Sequence, residues 1–588
     1  MKNQDQRISV LLTTEGTYPF NQGGVSNWAD QLVNQLPSVD FVVFSVIMDP
    51  FVTQKFNLSD VARLIKVPLW GTEEPTEHLD IPFSHTFLAK LRTSDKIVKE
   101  HFIPLFWRMV AEIVAVEKNP RGFATTLADL HRFFREYDYK ICMKSQLTWN
   151  EYKRIILEKV QTSRGEWDEP DIYCLIQSLG WVYRFFNIIN TAIPKTSLTH
   201  SSAAAFCGLP CVIAKELYKT PFLLTEHGVY LREQYLSLSK RGYPSFLNTF
   251  LVRLVRSVVE VNYGLADQIS PVCAYNTRWE KHLTDHPERI EPIYNGVEAN
   301  LFLEVKEAAH PRPTVVTVAR IDPVKDIMTL LRAAALVKQQ FSAVRFLLFG
   351  SMPVPEYYEQ CLALREELGL GANVEFAGHV NTVVQAYQQA DIIVQSSISE
   401  GFPYAVIEAM MSGKPVVATD VGGVSEALGD TGVLVPPQSP PDLAKAIIQL
   451  LDAPAWRQEL GTQARERALS LFTLRRSLSN YLKTYIQLAV RAVKTTRRRL
   501  PASLRPMVAP TKGMKQRLYA NRGYALLDNR RQDLAVGQFL QAIRAFPDSS
   551  AVPILLLEVA QIHARQGNAQ MAKNELHKFA LLTKMRGG

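Results

Sequence analysis

The residues with the strongest chemical pattern lie in the stretch Ser397–Gly423, which reads SISEGFPYAVIEAMMSGKPVVATDVGG. A strand is predicted to end at the first serine, and Pro403 stands where a helix is predicted to begin. Glu400 then lies in the loop before that helix, and Glu408 lies in its second turn. A carboxylate such as that of Glu408 can accept hydrogen bonds from two vicinal hydroxyls, for example those of a ribose.

The start of the same helix could bind oxygens through its main chain. Backbone N–H groups at a helix N-terminus have no partner within the helix, and they point at whatever lies beyond its end. Three residues are predicted to present such groups: Gly401, Phe402 and Tyr404. One acid near a helix N-terminus is more simply explained as a surface residue that complements the helix dipole. The whole string in this order favours a binding site instead.

Two basic residues could stabilise a negatively charged leaving group. Arg320 and Lys325 stand in VARIDPVKD, where a predicted buried strand ends. Fixed cations at this place can stabilise negative charge that grows in a transition state. The spacing of these two residues alone is typical of surface charge. Their position at the end of a buried strand is what favours a binding site. Because these cations would replace a metal and no Asp-x-Asp pair is found, we expect neither a metal nor another cofactor.

The N-terminal half offers two glycines and two histidines. Gly23 and Gly24 open the first predicted helix, and a turn without side chains lets the backbone approach a phosphate, although a pair of glycines alone is weak evidence. His200 ends a strand in SLTH, and His227 follows the buried strand of PFLLTEHG. An isolated histidine is more often structural than catalytic.

The elements that would position these residues belong to two α/β units. Between about Pro313 and Leu451, short apolar runs alternate with helical patterns, which predicts a parallel, doubly wound sheet. The first part of the chain begins with the same alternation of strands and helices, and a helical insertion from about Leu69 to Arg184 interrupts this alternation. Two such units imply a cleft between domains, where ligands usually bind.

The stretch with the two glutamates closely resembles the carbohydrate-binding signature of retaining glycosyltransferases of family 4. The resemblance covers about Lys2 to Ser479 and implies the GT-B fold, in which two Rossmann-like domains face a nucleotide-sugar cleft. It implies that Glu408 binds the donor ribose, that Glu400 lies near the reacting centre, and that His227 faces the donor sugar.

The resemblance assigns further positions to the donor and the acceptor. Arg320 and Lys325 would bind the diphosphate, and Gly24 would help to hold the donor from the other domain. The loop from Gly378 to Val380 is similar to the family's base-binding loop, and His200 would contact the acceptor. The donor's anomeric configuration would be retained, because the acceptor attacks on the face that the diphosphate leaves.

The N-terminal half resembles the PelF branch of this family, which makes an exopolysaccharide from UDP-glucose. The sequences EGTYPFNQGGVSNWADQLV and FLLTEHGVYLREQY carry this resemblance. It implies a UDP-glucose donor and a growing polysaccharide or glycoconjugate acceptor.

The end of the chain is predicted to be helical. Two helix pairs carry small and aromatic residues at offsets similar to those of tetratricopeptide repeats: Gly523, Ala535, Phe539, Ala542 and Pro547, then Ala560, Gly567, Ala572 and Leu576. Two repeats are too few to stand alone, so we expect them to pack on the main body or on a protein partner. The predicted domains are a Rossmann-like acceptor domain at 1–300 with its insertion at 69–184, a Rossmann-like donor domain at 301–480, a helical basic linker at 481–518, and all-α repeats at 519–588.

Charge and composition limit the possible locations. The chain has 588 residues and a net charge of +9, but ten Lys or Arg and no Asp or Glu lie between Arg491 and Leu527, so the rest sums to −1. This basic segment is either a solvated linker or, over 491–522, a contact with an anionic membrane. Nucleic acid is not expected, since no stacking platform accompanies the charge. Three features predict that the protein lies in the cytoplasm, with peripheral contact at the inner face of the membrane. No apolar run comes near the roughly 20 residues of a membrane helix, no signal-type core precedes Glu15, and the chain has only six cysteines.

Two other functions stay open on the sequence alone. A degenerate glycosyltransferase body with a helical-repeat adaptor would be a non-catalytic interaction protein. A hydrolase or phosphorylase on the same fold is the other alternative, although nothing in the sequence supports the pyridoxal-phosphate lysine of a phosphorylase.

Overall fold

The structure is a computed structural model that describes residues 7–586 apart from 60–61, 71–82, 164, 304–311, 381, 500–511, 529–530 and 550. The described residues form an N-terminal α/β domain, a C-terminal α/β domain and a group of helices at the end of the chain. The predicted two-domain arrangement is therefore confirmed.

The N-terminal domain is built on a parallel sheet of six strands: β1 (Ile8–Glu15), β2 (Val39–Ile47), β3 (Arg63–Pro68), β4 (Leu198–Ser201), β5 (Phe222–Glu226) and β6 (Gln268–Pro271). Their order is β3-β2-β1-β4-β5-β6, which is that of a Rossmann fold. Every residue of β4, β5 and β6 is buried, because helices cover both faces of the sheet.

The C-terminal domain repeats this architecture with six more parallel strands: β7 (Thr314–Val318), β8 (Arg345–Phe349), β9 (Val374–Gly378), β10 (Ile392–Gln395), β11 (Val416–Thr419) and β12 (Val433–Val435). Their order is β12-β11-β10-β7-β8-β9. When this sheet is read from β9, its strands follow the same Rossmann order as those of the N-terminal sheet. In such sheets ligands bind beyond the carboxyl ends of the strands. Glu15, Glu226 and Gln395 stand at those ends.

The helices of the N-terminal domain lie on both faces of its sheet and in the insertion. They are α1 (Gly24–Gln35), α2 (Phe83–Arg92), α3 (Asp95–Ile97), α4 (Ile103–Val114), α5 (Pro120–Phe134), α6 (Tyr139–Met143), α7 (Gln146–Thr162), α8 (Ile172–Phe185), α9 (Leu209–Tyr218), α10 (Tyr230–Ser239), α11 (Ser245–Leu265) and α12 (Thr277–Glu280). Helices α2 to α8 are the predicted insertion. They pack on the sheet through one continuous apolar cluster that includes Phe102, Phe106 and Phe186.

One segment of the insertion is longer and more apolar than the sequence analysis expected. Among the described residues, only Ile172–Asn190 is long and apolar enough to cross a membrane by length and composition. The expectation that no such run exists was wrong here. Val182 and Phe186 in this segment are buried in the N-terminal domain, as in the core helix of a folded domain.

The C-terminal domain has its own set of helices: α13 (Ala299–Leu303), α14 (Ile327–Gln340), α15 (Pro355–Glu367), α16 (Val383–Gln388), α17 (Tyr404–Met411), α18 (Val424–Leu428), α19 (Pro440–Asp452) and α20 (Pro454–Leu471). The next helix, α21 (Leu474–Arg499), returns to the N-terminal domain. Tyr481 and Tyr485 of α21 are fully buried there, in a cluster with Trp28. The linker predicted to start at residue 481 is therefore wrong at its start, because these residues are part of the N-terminal core.

The chain ends in two helix pairs, α22 (Lys512–Asp528) with α23 (Gln532–Ala545) and α24 (Val552–Arg565) with α25 (Ala569–Arg586). Gly523 lies against the ring of Phe539, where a Cβ atom would come within 2.6 Å of a ring carbon. The Lys483 ammonium of α21 lies 5.8 Å from the ring centre of Tyr524, so the pairs contact the main body. Their assignment to the tetratricopeptide family stays a prediction.

Candidate active site

A cleft of about 1710 Å³ lies between the two α/β domains, and residues of both domains line it. Nine of the predicted site residues are in its wall: Gly23, Gly24, His227, Arg320, Lys325, Glu400, Gly401, Phe402 and Tyr404. Four are not among its lining residues: His200, Gly378, Val380 and Glu408. The fold thus brings together residues that are far apart in the sequence.

Two helix N-termini open onto this cleft. Helix α1 follows Gly23, and helix α17 follows Pro403, which is its N-cap and not, as predicted, its first residue. Neither helix has a side chain that caps its first N–H groups. A Cβ atom on Gly24 would lie 3.5 Å from the ring of Tyr404, so the two ends are close neighbours. Both helix dipoles place positive potential at the same wall of the cleft.

Glu400 connects the predicted anionic and cationic residues. Its Oε1 atom accepts hydrogen bonds from the Lys325 ammonium and from the Gln395 amide, each at 2.5 Å. The side chains of Glu400 and Lys325 are 10% and 19% exposed, so water screens this pair only weakly. Arg320 pairs with Asp322 at 3.1 Å. Because its side chain is still 63% exposed and lines the cleft, its guanidinium is open to the cleft.

His227 presents an unpaired ring nitrogen in the cleft wall. Its Nε2 atom is buried without a hydrogen-bond partner, and its ring packs edge-on against Trp28, with centroids 4.6 Å apart. Burial lowers the pKa of His227 to about 3, so the imidazole is neutral near pH 7. A neutral ring nitrogen of this kind can exchange a hydrogen bond with a ligand hydroxyl.

Backbone segments approach each other closely beside this histidine, between the two domains at Gly401 and within the C-terminal domain at Gly422. A Cβ atom on Gly401 would lie 2.0 Å from the carbonyl oxygen of His227, and one on Gly422 would lie 1.7 Å from the carbonyl oxygen of Glu400. Gly422 also has a φ of +60°. Only glycine fits at these two positions, because real Cβ atoms do not approach oxygen so closely.

Glu408 occupies a different environment from Glu400. Its Oε2 atom accepts a hydrogen bond from the Tyr387 hydroxyl at 2.8 Å, and burial raises the pKa of its carboxyl group. The carbonyl of Gly378 accepts a hydrogen bond from the Gly350 N–H at 2.8 Å, and Val380 is half-buried. The roles of these residues toward a ribose and a base stay predictions.

His200 does not contact the cleft. It is fully buried, with Nδ1 2.8 Å from the Tyr485 hydroxyl and Nε2 2.8 Å from the Thr225 hydroxyl. Both ring nitrogens are therefore occupied by partners inside the domain. The predicted acceptor contact does not agree with this position, and the histidine instead attaches α21 to the N-terminal sheet.

The sequence analysis missed several partners of the predicted residues. Gln395 ends β10 and binds Glu400, Tyr387 binds Glu408, and Trp28 supports His227. Position in the sequence could have suggested Gln395, because it stands at a strand end two residues before the signature begins. The other two contacts come from separate elements and leave no local signal.

A carboxylate also joins the domains near the cleft. Glu426 of α18 accepts hydrogen bonds from the backbone N–H groups of Ala274 and Tyr275, at 2.9 and 3.0 Å, and from the Tyr294 hydroxyl at 2.5 Å. Asn295, the residue after Tyr294, donates to the carbonyl of Phe402 at 3.4 Å. These two neighbouring residues therefore link the N-terminal domain to the start of α17.

Within the part of the chain that the structure describes, no group of three or more His, Cys, Asp or Glu side chains is placed to hold a metal ion. The independence from metals that the sequence suggests stays a prediction.

Protein family models match both halves of the chain. Residues 301–467 match the family model of glycosyl transferases group 1. The chain contains a glycosyl transferases group 1 domain. Residues 8–288 match a family model described as a domain of unknown function, DUF3492.

Curated relatives resemble parts of the chain. Trehalose synthase from Pyrococcus horikoshii is 33% identical over 262 residues, which are 42% of this chain and 60% of that protein. D-inositol 3-phosphate glycosyltransferase from Rhodococcus jostii is 31% identical over 224 residues, which are 35% of this chain and 49% of that protein. The chain thus spans about half the length of these relatives. The domain match and these relatives support a transferase enzyme.

Solved structures share the fold. Sucrose-phosphate synthase from Thermosynechococcus elongatus matches with a TM-score of 0.54 at 20% identity, over 82% of this chain and all of that chain. Anabaena HepE, solved in complex with UDP-glucose, matches with a TM-score of 0.50 at 15% identity and the same coverage. These similarities show a GT-B arrangement of two Rossmann-like domains, and at such identities they show the fold alone.

Proposed function

We propose that the protein is a retaining glycosyltransferase of family 4 that moves a hexose from a nucleotide sugar to a saccharide acceptor. The observation that carries this proposal is the convergence of two uncapped helix N-termini, Arg320 and Lys325 on one cleft. These four positive features are complementary to the two phosphates of a nucleotide sugar.

In this proposal each residue has a role that its contacts or the family resemblance support. Lys325, fixed by Glu400, and Arg320 stabilise the charge that develops on the leaving diphosphate. The neutral Nε2 of His227 exchanges a hydrogen bond with a donor-sugar hydroxyl, and the Glu400 carboxylate lies near the reacting carbon. The acceptor hydroxyl attacks on the face that the diphosphate leaves, and a departing phosphate oxygen takes its proton.

UDP-glucose is the donor that we propose first. The resemblance of the N-terminal half to the PelF branch supports it, and so does the UDP-glucose held by HepE, which has the same fold. The acceptor in this proposal is a growing polysaccharide or glycoconjugate, and the reaction needs no metal or other cofactor.

The location and the partners are further parts of the proposal. The protein acts in the cytoplasm, where its basic segment at 491–522 contacts the anionic inner face of the membrane. The C-terminal helix pairs bind a protein of the polysaccharide-synthesis machinery. Their contact with α21 through Lys483 and Tyr524 would keep that partner close to the N-terminal domain.

Calorimetric titration with UDP, GDP and ADP tests the nucleotide site. We expect selective binding of UDP that is at least tenfold weaker in Glu408→Ala, because the ribose hydroxyls lose their acceptor. Glu375→Ala is the matched control, since Glu375 is an exposed glutamate of the same domain that pairs only with Arg345 in the contacts described.

Each outcome of the titration has a definite meaning. Selective binding of GDP or ADP would keep the glycosyltransferase and refute UDP-glucose as donor. Equal binding of UDP by wild type and Glu408→Ala would refute the ribose role. Binding of none of the three nucleotides would refute the proposed function and favour the non-catalytic adaptor.

A further inference from the structure

Four aromatic side chains form a continuous surface in the N-terminal wall of the cleft, which we call the aromatic shelf: Trp70, Trp181, Phe185 and Phe206. The rings of Trp181 and Phe185 stack with centroids 5.4 Å apart and planes 9° apart, since the residues are one turn apart on α8. Phe206 stacks on Phe185 at 4.1 Å. Trp70 meets Trp181 and Phe185 edge-on, each at 5.8 Å.

The shelf is open to the cleft and is separate from the predicted donor residues. Trp70, Trp181 and Phe185 are half-buried, and only Phe206 is fully covered. Trp181 and Phe185 belong to the helical insertion, whereas the diphosphate features lie on α1, α17 and the loop after β7. The cleft of about 1710 Å³ exceeds the roughly 300–1,000 Å³ of a usual small-molecule pocket, so it has room for a second substrate beside a nucleotide sugar.

Hydrogen-bonding groups line the same cleft as the shelf. Glu15, at the end of β1, accepts hydrogen bonds from the backbone N–H of Cys207 at 3.0 Å and from the Tyr230 hydroxyl at 3.3 Å. Cys207 directly follows Phe206 of the shelf. The Oγ1 atom of Thr17, which also lines the cleft, is buried without a partner.

Aromatic faces beside a carboxyl group and a hydroxyl suit a sugar ring. A pyranose has a flat face of C–H groups, which packs on an aromatic ring, and a rim of hydroxyls, which need hydrogen-bond partners. A purely apolar ligand would leave the Thr17 hydroxyl and the open positions of the Glu15 carboxyl without partners. The chemistry of this wall therefore favours a saccharide over a hydrocarbon chain.

We propose that the aromatic shelf binds a pyranose ring of the acceptor saccharide, with Glu15 and Thr17 bound to its hydroxyls. The word acceptor rests on the proposed function, because a saccharide on this wall faces the donor residues across one cleft. The insertion between β3 and β4 then supplies the acceptor site, in place of His200.

The test is binding of the full-length protein to an array of immobilised cello-, malto- and chito-oligosaccharides, with UDP present in saturating amount. We expect the wild type to bind at least one of these pyranose chains, and Trp181→Ala to bind it at least tenfold more weakly. Trp107→Ala is the matched control, because Trp107 is a 45%-exposed tryptophan of the same insertion that is absent from the cleft wall. Trp181→Tyr keeps an aromatic face and should retain most of the binding.

The outcomes separate this inference from the proposed function. Failure of every oligosaccharide to bind to a protein that does bind UDP would refute the shelf alone. Oligosaccharide binding that is unchanged in Trp181→Ala would refute it too. If Trp181→Ala unfolds, the test compares two folded variants, Trp181→Leu and Trp181→Tyr. Weaker oligosaccharide binding by Trp181→Leu than by Trp181→Tyr supports the shelf, and equal binding by these two variants refutes it. Oligosaccharide binding through the shelf without any nucleotide binding would refute the donor proposal and leave the shelf as a saccharide site.

Discussion

At the scale of single residues, the pair formed by Lys325 and Glu400 is the most informative contact. A lysine that is 19% exposed and bound to a carboxylate has a fixed position, so it can stabilise a phosphate without first being ordered. The same pairing gives the acid in the loop before the helix a structural role, because Glu400 holds the Lys325 ammonium in place.

Replacement of Lys325 with Ala should lower kcat by roughly 100-fold or more while the fold stays intact, because the protein loses one fixed positive charge that stabilises the leaving diphosphate. The measurement is the rate of UDP release from UDP-glucose, with circular dichroism as the check on folding. Arg345→Ala is the control, since Arg345 is an exposed cation of the same domain that pairs with Glu375. Wild-type turnover in the Lys325→Ala variant would contradict the assigned role.

Buried histidines should make the stability depend on pH. Burial lowers the pKa of His200 to about 3 from a usual value of 6.5. As the pH falls below 6.5, the unfolded chain binds a proton that the folded chain does not, so stability is lost on the acid side. For this one group the loss is about 2 kcal/mol between about pH 7 and about pH 5.

The His200→Gln variant should therefore show a smaller decrease in stability across this pH range than the wild type. Denaturant unfolding at each pH measures the difference between the two proteins. If the His200→Gln and wild-type curves ran parallel, His200 would have an ordinary pKa and would not be sealed in the core.

The sequence alone could predict nine residues that line the cleft, but only part of their contacts. The signature gave Glu400 and Glu408 on one short stretch, yet the first binds Lys325 in the cleft and the second binds Tyr387 beside it. His200 was misplaced because a histidine at a strand end is equally compatible with an active site and with a core. Its buried partner Tyr485 is 285 residues away in the chain.

At the scale of elements, the approach of the loop before α17 to the end of β5 determines how closely the two sheets face each other. A Cβ atom on Gly401 would lie 2.0 Å from the carbonyl of His227, so any side chain here must push the two elements apart. The donor residues of the two domains would separate with them.

Gly401→Ala should accordingly lower kcat by roughly tenfold or more, since displacements of about 1 Å are costly in catalysis. Gly537→Ala is the matched control, because a Cβ atom at Gly537 meets nothing within 4 Å. UDP-release kinetics and thermal unfolding of both variants provide the readout. An unchanged kcat in Gly401→Ala would mean that the close approach does not matter for turnover.

The strands and helices of both sheets could be predicted because their patterns are local. Apolar runs that alternate with helical periodicity gave the C-terminal domain almost element by element. The path of α21 could not be predicted in this way, because Tyr481 and Tyr485 look like part of an ordinary amphipathic helix. Only the N-terminal core around Trp28 shows that they are buried.

At the scale of the whole molecule, the two Rossmann-like domains face one cleft. Each domain contributes one positive helix end, the C-terminal domain adds Arg320 and Lys325, and the N-terminal domain adds the aromatic shelf. In the proposed function, this arrangement would hold two substrates in one cleft and bring them together with water excluded. The net positive charge of the sequence is concentrated between Arg491 and Leu527. None of the described residues of this segment lines the cleft, so the membrane contact and the transfer site are proposed as separate functions of the molecule.

The most direct test of the account is proton NMR of the sugar released when the full-length protein is incubated with UDP-glucose, which carries an α-linked glucose. With water as the acceptor, a retaining transferase should release α-glucose first, together with UDP, and Lys325→Ala should release neither. Release of β-glucose first would contradict retention. The absence of any release from a folded protein, with or without the oligosaccharides that it binds, would contradict glycosyl transfer from UDP-glucose.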